Sequence, residues 1–361
     1  MQTCMSISAA DLRYNAQAVI DYVKTPVIAV IKCNGYGMTI EHAAKAWYDC
    51  GVRFFAVSEP DEVFTLYKLG LDDIKVLLMT PVADTDTLQK LLKLGTILTV
   101  TSYEKAQFYA DNAGDCEVSA HLKIDTGMGR FGVRYNDFDE LIKVYSVKNI
   151  KFCGIFSHFA QSFEKEYKST KTQFEKFKKA LEFLNEKQID VGTRHIANSC
   201  AALRFPETRL DAVRIGSALV GRLMIKTPLD FKKVGKIKAR AVDVKTLQKG
   251  DTTGYAMIVK ATKPTKCAVV AIGSRHGLGV IRKNDNHRFI DLLRNFYKAL
   301  KEHKKPLSLY CNNIRYNVFG RIGNQFTLVD VTGSDVKSGD IFTADVNVLT
   351  VDDIVPRIIE N

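Results

Sequence analysis

The first 225 residues alternate short apolar runs with amphipathic stretches, and this alternation constrains the fold more than any other feature of the sequence. The apolar runs have the length of buried strands, and most of the stretches between them have the apolar spacing of surface helices. Strands that alternate with helices of about 10–15 residues indicate a parallel sheet. Eight such units in about 220 residues favour a TIM (β/α)8 barrel over an open sheet.

The elements of this barrel can be placed along the sequence. We expect strands at 27–31, 54–57, 76–79, 97–100, 121–124, 152–156, 194–197 and 212–215. We expect helices at 41–48, at about 60–69, at about 85–94, from residue 104, and at about 171–187.

After about residue 226 the pattern changes to short and often alternating apolar segments, which are typical of β-strands. We expect strands at 237–244, 267–272, 308–311, 315–322, 326–331 and 340–346, with one helix at about 289–302. The sequence therefore predicts two domains, an α/β barrel over residues 1–225 and a mostly β domain over residues 226–361.

Composition excludes several classes of protein. The 23 glycines and 8 prolines are ordinary for 361 residues, which excludes collagen-like and low-complexity chains. No stretch approaches the roughly 18 apolar residues of a membrane span. The N-terminus lacks a basic segment followed by an apolar run, so we expect no signal peptide. The eight cysteines form no C-x-x-C pair, which predicts reduced, mostly buried thiols in a cytoplasmic protein, and we expect no metal site.

The net charge of +12 is the one unusual global property. It is compatible with nucleic acid, a membrane surface, anionic ligands or merely a lysine-rich surface. The sequence contains no basic helix with interleaved aromatic residues and no nucleic-acid motif. We therefore expect neither nucleic acid nor a membrane as a partner, and we expect the lysine clusters within 232–238 and 301–305 to be solvated.

Polar residues follow several predicted strands, where the mouth of a barrel carries its chemistry. Lys32 comes directly after the first strand and opens a glycine-bracketed loop that contains Tyr36. A lysine in a pocket can lose its proton through desolvation and attack a carbonyl. Loops after the last strands often bind phosphate through backbone N–H groups and hydroxyls. Position alone therefore predicts a lysine nucleophile, an anion site, and nearby histidine and arginine side chains at His158 and Arg214.

Four segments together carry a resemblance to a known family. They are Ala29-Val-Ile-Lys-Cys-Asn-Gly-Tyr-Gly37, His121-Leu-Lys-Ile-Asp-Thr-Gly-Met-Gly-Arg-Phe-Gly132, Asn198-Ser199 and Val355-Pro-Arg357. In order and spacing they resemble the alanine racemase family, whose members combine a barrel with a C-terminal β domain and bind pyridoxal 5'-phosphate. The resemblance covers nearly the whole chain.

This resemblance implies a role for each matched residue of the barrel. Lys32 takes the place of the lysine that forms an imine with the cofactor and then acts as a base on the substrate α-proton. Arg214 falls where an arginine faces the pyridine nitrogen, and a guanidinium of pKa above about 12 does not supply a ring proton. His158 falls where an imidazole stacks on the cofactor ring. Phosphate contacts are implied for Tyr36, Asn198, Ser199 and Gly216.

Two further barrel residues are implied to lie near the substrate carboxylate. Arg130 matches an arginine beside the cofactor 3-hydroxyl and that carboxylate. In many family members the lysine equivalent to Lys123 carries a carbamate that neutralises this arginine, and we expect the same here. The alternative is that Lys123 only pairs with Asp125.

The second domain departs from the family pattern at the position of a catalytic tyrosine. The family uses two bases, and the second is a tyrosine of the partner subunit in the pattern I-G-Y-A-D-G. The matching segment here is Ile272-Gly-Ser-Arg-His-Gly277, which has Ser274 at that position. A serine hydroxyl is a much weaker acid than a phenol and needs a base of its own. Ser274 and His276 are both candidates for the second catalytic group, and Tyr255 is a tyrosine that matches a different family position.

Three more substitutions concern the substrate pocket. Asn324 replaces a methionine near the substrate carboxylate, while Asp353 and Val220 each replace a tyrosine. An acidic or amide residue at the position of Asp353 resembles the serine racemases linked to vancomycin resistance and indicates a substrate more polar than alanine. A carboxylate there could equally bind a cationic side chain such as that of lysine or ornithine.

The resemblance therefore implies a cytoplasmic, pyridoxal-phosphate-dependent amino-acid racemase, an isomerase that acts on alanine or serine by removing the α-proton. It also implies a head-to-tail homodimer in which each C-terminal domain completes the active site of the partner. The loss of the tyrosine leaves two alternatives open. One is a lyase or decarboxylase with a single strong base, and the other is a non-catalytic relative that only binds the cofactor.

Overall fold

Two compact units make up the described part of the chain. The computed structural model describes residues 2–164, 167–254, 257, 259–281, 292–297, 300 and 307–360. One unit runs from Ala9 to Val234, and the other joins residues 1–8 to residues 235–361. No helix within the described ranges is long and apolar enough to cross a membrane.

After β1 (Thr3–Ser8), which pairs within the second unit, eight parallel strands form a closed barrel. They are β2 (Val27–Val30), β3 (Phe54–Val57), β4 (Lys75–Leu78), β5 (Leu98–Val100), β6 (Val118–Asp125), β8 (Ile150–Phe156), β9 (Thr193–His195) and β10 (Val213–Ile215). The ladders run β10-β2-β3-β4 and β5-β6-β8-β9. A parallel bridge between Leu77 and Ile97 joins β4 to β5. The N–H of Arg214 donates to the carbonyl of Ala197 over 2.9 Å beside β9, so the ring closes and the predicted barrel is confirmed.

Helices follow most of the barrel strands. They are α1 (Ala9–Val23), α2 (Lys32–Tyr36), α3 (Ile40–Asp49), α4 (Pro60–Lys68), α5 (Thr85–Lys93), α6 (Tyr103–Asp111), α7 (Phe138–Ser146), α8 (Lys168–Glu186) and α9 (Ser199–Arg204). Short polar side chains begin several of them, because an oxygen at this position satisfies an otherwise unpaired N–H. Asp84 accepts from the N–H of Thr87, and Ser102 accepts from that of Lys105. The short strand β7 (Val133–Arg134) pairs with the end of β6.

Four helices, α1, α2, α7 and α9, are absent from the prediction, and the segment of α2 was expected to be a loop. The buried residues of α1, which include Leu12, Ala16 and Val19, follow helical spacing. This helix precedes the first barrel strand, however, and so lies outside the strand–helix alternation on which the prediction rested. With only six residues, α9 is too short for a helical period to show in the sequence.

The second unit is mostly β, as predicted, and its main sheet is mostly antiparallel. Its later strands are β11 (Lys236–Leu247), β12 (Thr252–Thr253), β13 (Val259–Lys260), β14 (Thr265–Val270), β15 (Ser308–Cys311), β16 (Ile314–Asn317), β17 (Thr327–Asp330), β18 (Ile341–Ala344) and β19 (Arg357–Glu360). The strand order is β16-β15-β18-β11-β1-β19, and β14 pairs with both β11 and β17. The strand β1 therefore lies between β11 and β19, antiparallel to β11 and parallel to β19.

Some details of the second unit differ from the prediction. The strand expected at 315–322 ends at Asn317, because Gly320 has a φ of +96°, which a strand residue does not adopt. Of the helix expected at about 289–302, residues 292–297 and 300 are helical, and its other residues lie outside the described ranges. The lysines of the 301–305 cluster also lie outside them.

The eight cysteines are all free thiols. The expectation that most are buried is wrong, since only Cys267 and Cys311 are buried, Cys33 is exposed and the other five are partly exposed. Most of them lie at the edges of elements, where a small side chain is only partly covered.

Candidate active site

The segment after β2 folds into a left-handed helical turn. Its φ angles are 55° at Cys33, 51° at Asn34, 65° at Gly35, 54° at Tyr36 and 84° at Gly37. Left-handed conformations cost L-residues other than glycine roughly 1–2 kcal/mol each. The N–H of Gly37 donates to the carbonyl of Cys33 over 3.0 Å, which closes the turn. Lys32 and Tyr36, at its two ends, both line one cavity.

This cavity of about 480 Å³ opens where the carboxyl ends of the barrel strands meet. All nine residues that the sequence suggested for the barrel site line it: Lys32, Tyr36, Lys123, Arg130, His158, Asn198, Ser199, Arg214 and Gly216. Four of them are Lys or Arg, and no Asp or Glu among the described residues lines the cavity. Such a cavity selects an anionic ligand.

Two polar lining residues, Ser58 and Thr80, are absent from the sequence prediction. Ser58 directly follows β3, and Thr80 follows the end of β4 after one residue. The rule that barrel chemistry sits after the strand ends therefore marks both positions. By contrast Val220, noted as a substitution, is buried in the barrel unit and does not line the cavity.

Hydroxyl groups at one side of the cavity form a cradle for an anion. The Ser199 hydroxyl oxygen accepts the N–H of Gly216 over 3.1 Å, which leaves its own O–H to donate. Burial raises the pKa of Tyr36, so its phenol stays protonated as a donor. A Cβ atom at Gly216 would lie 2.2 Å from the phenol oxygen of Tyr36, so this close approach requires glycine. Converging donors of this kind suit a phosphate.

Arg214 lies inside the barrel with 2% of its surface exposed. Nη1 donates to Nδ1 of His195 over 2.7 Å, and Nη2 donates to the carbonyl of Ser157 over 2.5 Å. Burial lowers the pKa of Arg214 to about 9, which leaves the guanidinium charged at neutral pH. Because it only donates, it can serve a neutral aromatic nitrogen while keeping its own proton.

The histidines around Arg214 are neutral. Burial, followed by the charge of Arg214, lowers the pKa of His121 to about 3 and holds those of His158 and His195 well below the usual value. Nδ1 of His158 accepts from Nη2 of Arg214 over 3.1 Å. The proton of this imidazole is therefore on Nε2.

Lys123 is 7% exposed, with its Nζ 4.6 Å from the centroid of the Phe156 ring. Burial, together with the charges of Arg214 and Arg130, holds the pKa of Lys123 well below its ordinary value. The carboxylate of Asp125 instead accepts three backbone N–H groups of residues 127–129. This shift favours the neutral, nucleophilic form of the Lys123 amine.

In the second unit, three of the predicted residues lie on two adjoining loops. The hydroxyl of Ser274 donates to the amide oxygen of Asn324 over 3.1 Å. The N–H of Ser274 donates to the carbonyl of Gly323 over 3.0 Å, which holds the loops together. Nδ1 of the buried His276 accepts the N–H of Gly273 over 3.0 Å. That nitrogen is thus occupied within its own loop.

Asp353 lies on a third loop of the same unit. Its side chain is 91% exposed, and one oxygen lies 3.6 Å from Nη2 of Arg357. The neighbouring Asp352 joins this loop to the Ser274 loop, because its N–H donates to the carbonyl of Arg275 over 3.0 Å. Tyr255 lies outside the described residues. Within the described ranges, no group of three His, Cys, Asp or Glu side chains could hold a metal ion.

Comparisons with known proteins cover nearly the whole chain. The model for the N-terminal domain of alanine racemase matches residues 7–223, and that for the C-terminal domain matches residues 234–356. The alanine racemase of Clostridium tetani is 32% identical over 340 residues, which are 91% of this chain and 82% of that protein. That of Carboxydothermus hydrogenoformans is 32% identical over 279 residues, 75% of each chain.

Solved structures show the same fold. An alanine racemase of Clostridium difficile 630 superposes with a TM-score of 0.86 at 23% identity, covering 100% of this chain and 96% of that one. An alanine racemase from Bartonella henselae with covalently bound pyridoxal phosphate superposes with a TM-score of 0.83 at 22% identity, covering 100% of both chains. On the strength of both domain matches, this chain belongs to the alanine racemase family.

Proposed function

We propose that the protein is a pyridoxal-phosphate-dependent racemase that interconverts the enantiomers of a small amino acid, alanine or serine. One observation carries this proposal: a single cavity combines Lys32, a hydroxyl cradle for an anion and the buried guanidinium of Arg214. Relatives that are named alanine racemases support it. The cofactor, when bound, supplies a sink for the electrons that an α-proton leaves behind.

The residues of the cradle fit the phosphate of this cofactor. Tyr36 and Ser199 offer hydroxyl donors beside Gly216, whose N–H donates to the Ser199 oxygen and whose lack of a side chain leaves room for the Tyr36 phenol. Asn198 holds Ser199 in place, because its side-chain oxygen accepts the N–H of Ala201 over 3.1 Å and so begins α9. We assign the phosphate contacts to these residues.

Arg214 and His158 suit the aromatic ring of the cofactor. Arg214 offers an N–H to the ring nitrogen and keeps its proton, because its pKa of about 9 lies far above that of a pyridine. Held in this way by Arg214, the ring nitrogen would stay neutral, and the cofactor would supply a weaker electron sink. His158 supplies a neutral imidazole for contact with the ring.

Lys32 holds the cofactor and moves a proton. Its Nζ would hold the cofactor covalently, at the place where the amine of the substrate would bind in turn. The released Nζ of Lys32 then removes the α-proton from one face of the substrate.

For the opposite face we propose the hydroxyl of Ser274, supplied by the partner subunit of a head-to-tail homodimer. Ser274 is partly exposed, whereas the other candidate, His276, is buried and uses Nδ1 within its own loop. The hydrogen bond from Ser274 to Asn324 fixes the Ser274 hydroxyl. When this hydroxyl donates its proton to the substrate, water replaces that proton. To remove an α-proton in the reverse direction the hydroxyl must first pass its own proton to water, so this direction is expected to be limited by proton removal at Ser274.

Lys123 is proposed to carry a carbamate. Its neutral amine attacks the carbon of CO2, a C–N bond forms, one C=O electron pair moves to oxygen, and the nitrogen loses its proton. The resulting anion would neutralise Arg130, whose charge already acts on Lys123. Arg130 would then present its N–H groups to the substrate carboxylate.

Asn324 and Asp353 are proposed to select the substrate side chain. Both are polar, which favours serine over alanine, while the names of the relatives favour alanine. We place the protein in the cytoplasm, where an enzyme of amino-acid metabolism finds its substrate.

Isotope exchange tests the proposal. The purified protein is incubated with L- and D-amino acids in deuterated water, and α-deuteration and chirality are measured. Deuteration with inversion supports a racemase, and exchange without inversion means that one base works alone. Release of CO2 or a keto acid indicates a lyase or decarboxylase, and no change with any substrate leaves a non-catalytic binding protein. Borohydride reduction should attach the cofactor to Lys32.

A further inference from the structure

The buried carboxylate of Glu62, on the first turn of α4, joins two neighbouring segments of the barrel. Its Oε1 accepts the N–H of Asn34 over 3.1 Å. Its Oε2 accepts the N–H groups of Ser58 and Glu59 over 3.0 and 3.2 Å. Glu62 is only 9% exposed. One carboxylate thus ties the left-handed turn after β2 to the start of the helix after β3.

The left-handed turn needs such support. Cys33, Asn34 and Tyr36 all hold a backbone conformation that L-residues adopt reluctantly. The side chain of Asn34 restrains the far end of the turn by accepting the N–H of Ile40 over 3.0 Å. At the near end, the N–H of Asn34 has the Glu62 carboxylate as its partner. Bonds of this kind to an ionised acceptor are about twice as strong as neutral ones.

We propose that Glu62 is a positioning residue, which holds the left-handed turn and thereby fixes Lys32 and Tyr36 in the cavity. Glu62 itself does not line the cavity, so it acts through the turn. What Lys32 and Tyr36 do once they are in place rests on the proposed function. The geometry of the turn is independent of the proposed function.

The glutamine variant separates the contact of Glu62 with the left-handed turn from its contacts at the start of α4. An ionised carboxylate accepts on both oxygens, whereas a glutamine side chain has one oxygen and one NH2 group that only donates. In Glu62→Gln the oxygen can serve the N–H groups of Ser58 and Glu59, just before α4, and the NH2 group then faces the N–H of Asn34. The variant should therefore keep the start of the helix and lose the support of the turn.

Hydrogen–deuterium exchange of the cofactor-free protein tests this directly. In Glu62→Gln, peptides that cover residues 32–38 should exchange about tenfold faster or more, and those of 58–68, which contain the other two amides, should not change. Glu62→Ala should accelerate both segments. Glu59→Gln is the matched control, because Glu59 is an exposed acid at the same helix start, and it should leave residues 32–38 unchanged.

Cofactor binding provides the second measurement. The dissociation constant of pyridoxal phosphate should rise about tenfold in Glu62→Gln and kcat should fall, while KM for the amino acid changes less than about twofold. Unchanged exchange of residues 32–38 in both Glu62 variants would overturn the proposal, and so would equal effects in Glu59→Gln. If Glu62→Ala does not fold, the comparison of the two glutamine variants decides. A wild-type protein that bound no cofactor would refute the proposed function. The role of Glu62 would then be decided by the hydrogen–deuterium exchange measurement alone.

Discussion

Arg214 determines which nitrogen of His195 carries the proton. A guanidinium only donates, so Nδ1 of His195, 2.7 Å from Nη1, must accept. The proton of His195 is then on Nε2, which lies 2.8 Å from Nδ1 of His121. His121 must accept in turn and keep its own proton on Nε2. The chain of contacts therefore runs in one direction, from the cavity into the barrel.

These neutral histidines should make stability depend on pH. The pKa of His121 is about 3 in the folded protein and about 6.5 in the unfolded chain, so below pH 6.5 the unfolded state binds more protons. The contribution of neutral His121 to the free energy of unfolding is fully present above pH 6.5 and is lost as the pH falls. At pH 5 the loss is about 2 kcal/mol for one such histidine.

Urea unfolding at pH 5 and pH 7 measures this effect. In His121→Gln, which keeps a donor and an acceptor but does not titrate, the difference between the two pH values should shrink by about 2 kcal/mol. An unchanged difference would show that His121 is not a neutral histidine in the folded state.

Replacing Arg214 by lysine should cost most of the activity. An ammonium cannot reach His195, Ser157 and His158 together as the guanidinium does, and burial favours its neutral form. We expect kcat in Arg214→Lys to fall about 100-fold. Arg194→Lys is the control, since Arg194 pairs with Asp211 at the surface and its loss should matter little. Equal effects of the two changes would contradict the role of Arg214.

Lys123 should bind CO2. Protein equilibrated with 13C-bicarbonate should show a carbamate resonance in its 13C NMR spectrum, and Lys123→Met should remove it. Lys105→Met is the matched control, because burial also lowers the pKa of Lys105, but its Nζ donates to the carbonyl of Val82 outside the cavity. A resonance that persists in Lys123→Met would place the carbamate elsewhere.

Gly216→Ala should weaken cofactor binding. The added Cβ would lie 2.2 Å from the phenol oxygen of Tyr36, so this hydroxyl must move away from the cradle. We expect the dissociation constant of pyridoxal phosphate, measured by absorbance titration, to rise about tenfold or more. Gly114→Ala, in an open loop with a φ of +60°, should lower stability by about 1 kcal/mol and leave binding intact.

The role of Ser274 can be separated from that of His276. Ser274→Ala should retain α-proton exchange by Lys32 and lose most of the inversion, because only one face keeps its proton-transfer group. His276→Gln should keep inversion within about threefold, since its Nδ1 has a structural partner and an amide oxygen can replace it. Inversion that survives in Ser274→Ala and disappears in His276→Gln would reverse the assignment.

The barrel could be predicted from sequence because most of the apolar strands alternate with segments of helical period and this alternation repeats. The nine cavity residues followed because strand ends converge and because their motifs resemble a family. Glu62 could not be found in this way, since an acid on the first turn of a helix has an ordinary reason to be there. Its second contact, with the N–H of Asn34, depends on the left-handed turn. The sequence Lys-Cys-Asn-Gly-Tyr does not by itself predict left-handed backbone over several successive residues.

The place of β1 between β11 and β19 has a consequence for biosynthesis. The ribosome makes this strand before the barrel and both of its neighbours after it, so it stays unpaired while the entire barrel is translated, for roughly tens of seconds. A gene fragment that begins at residue 235 would encode a sheet without this strand and with open edges at β11 and β19. The second unit is therefore not a module that can be cut from the chain and expressed alone, although most of its residues are consecutive.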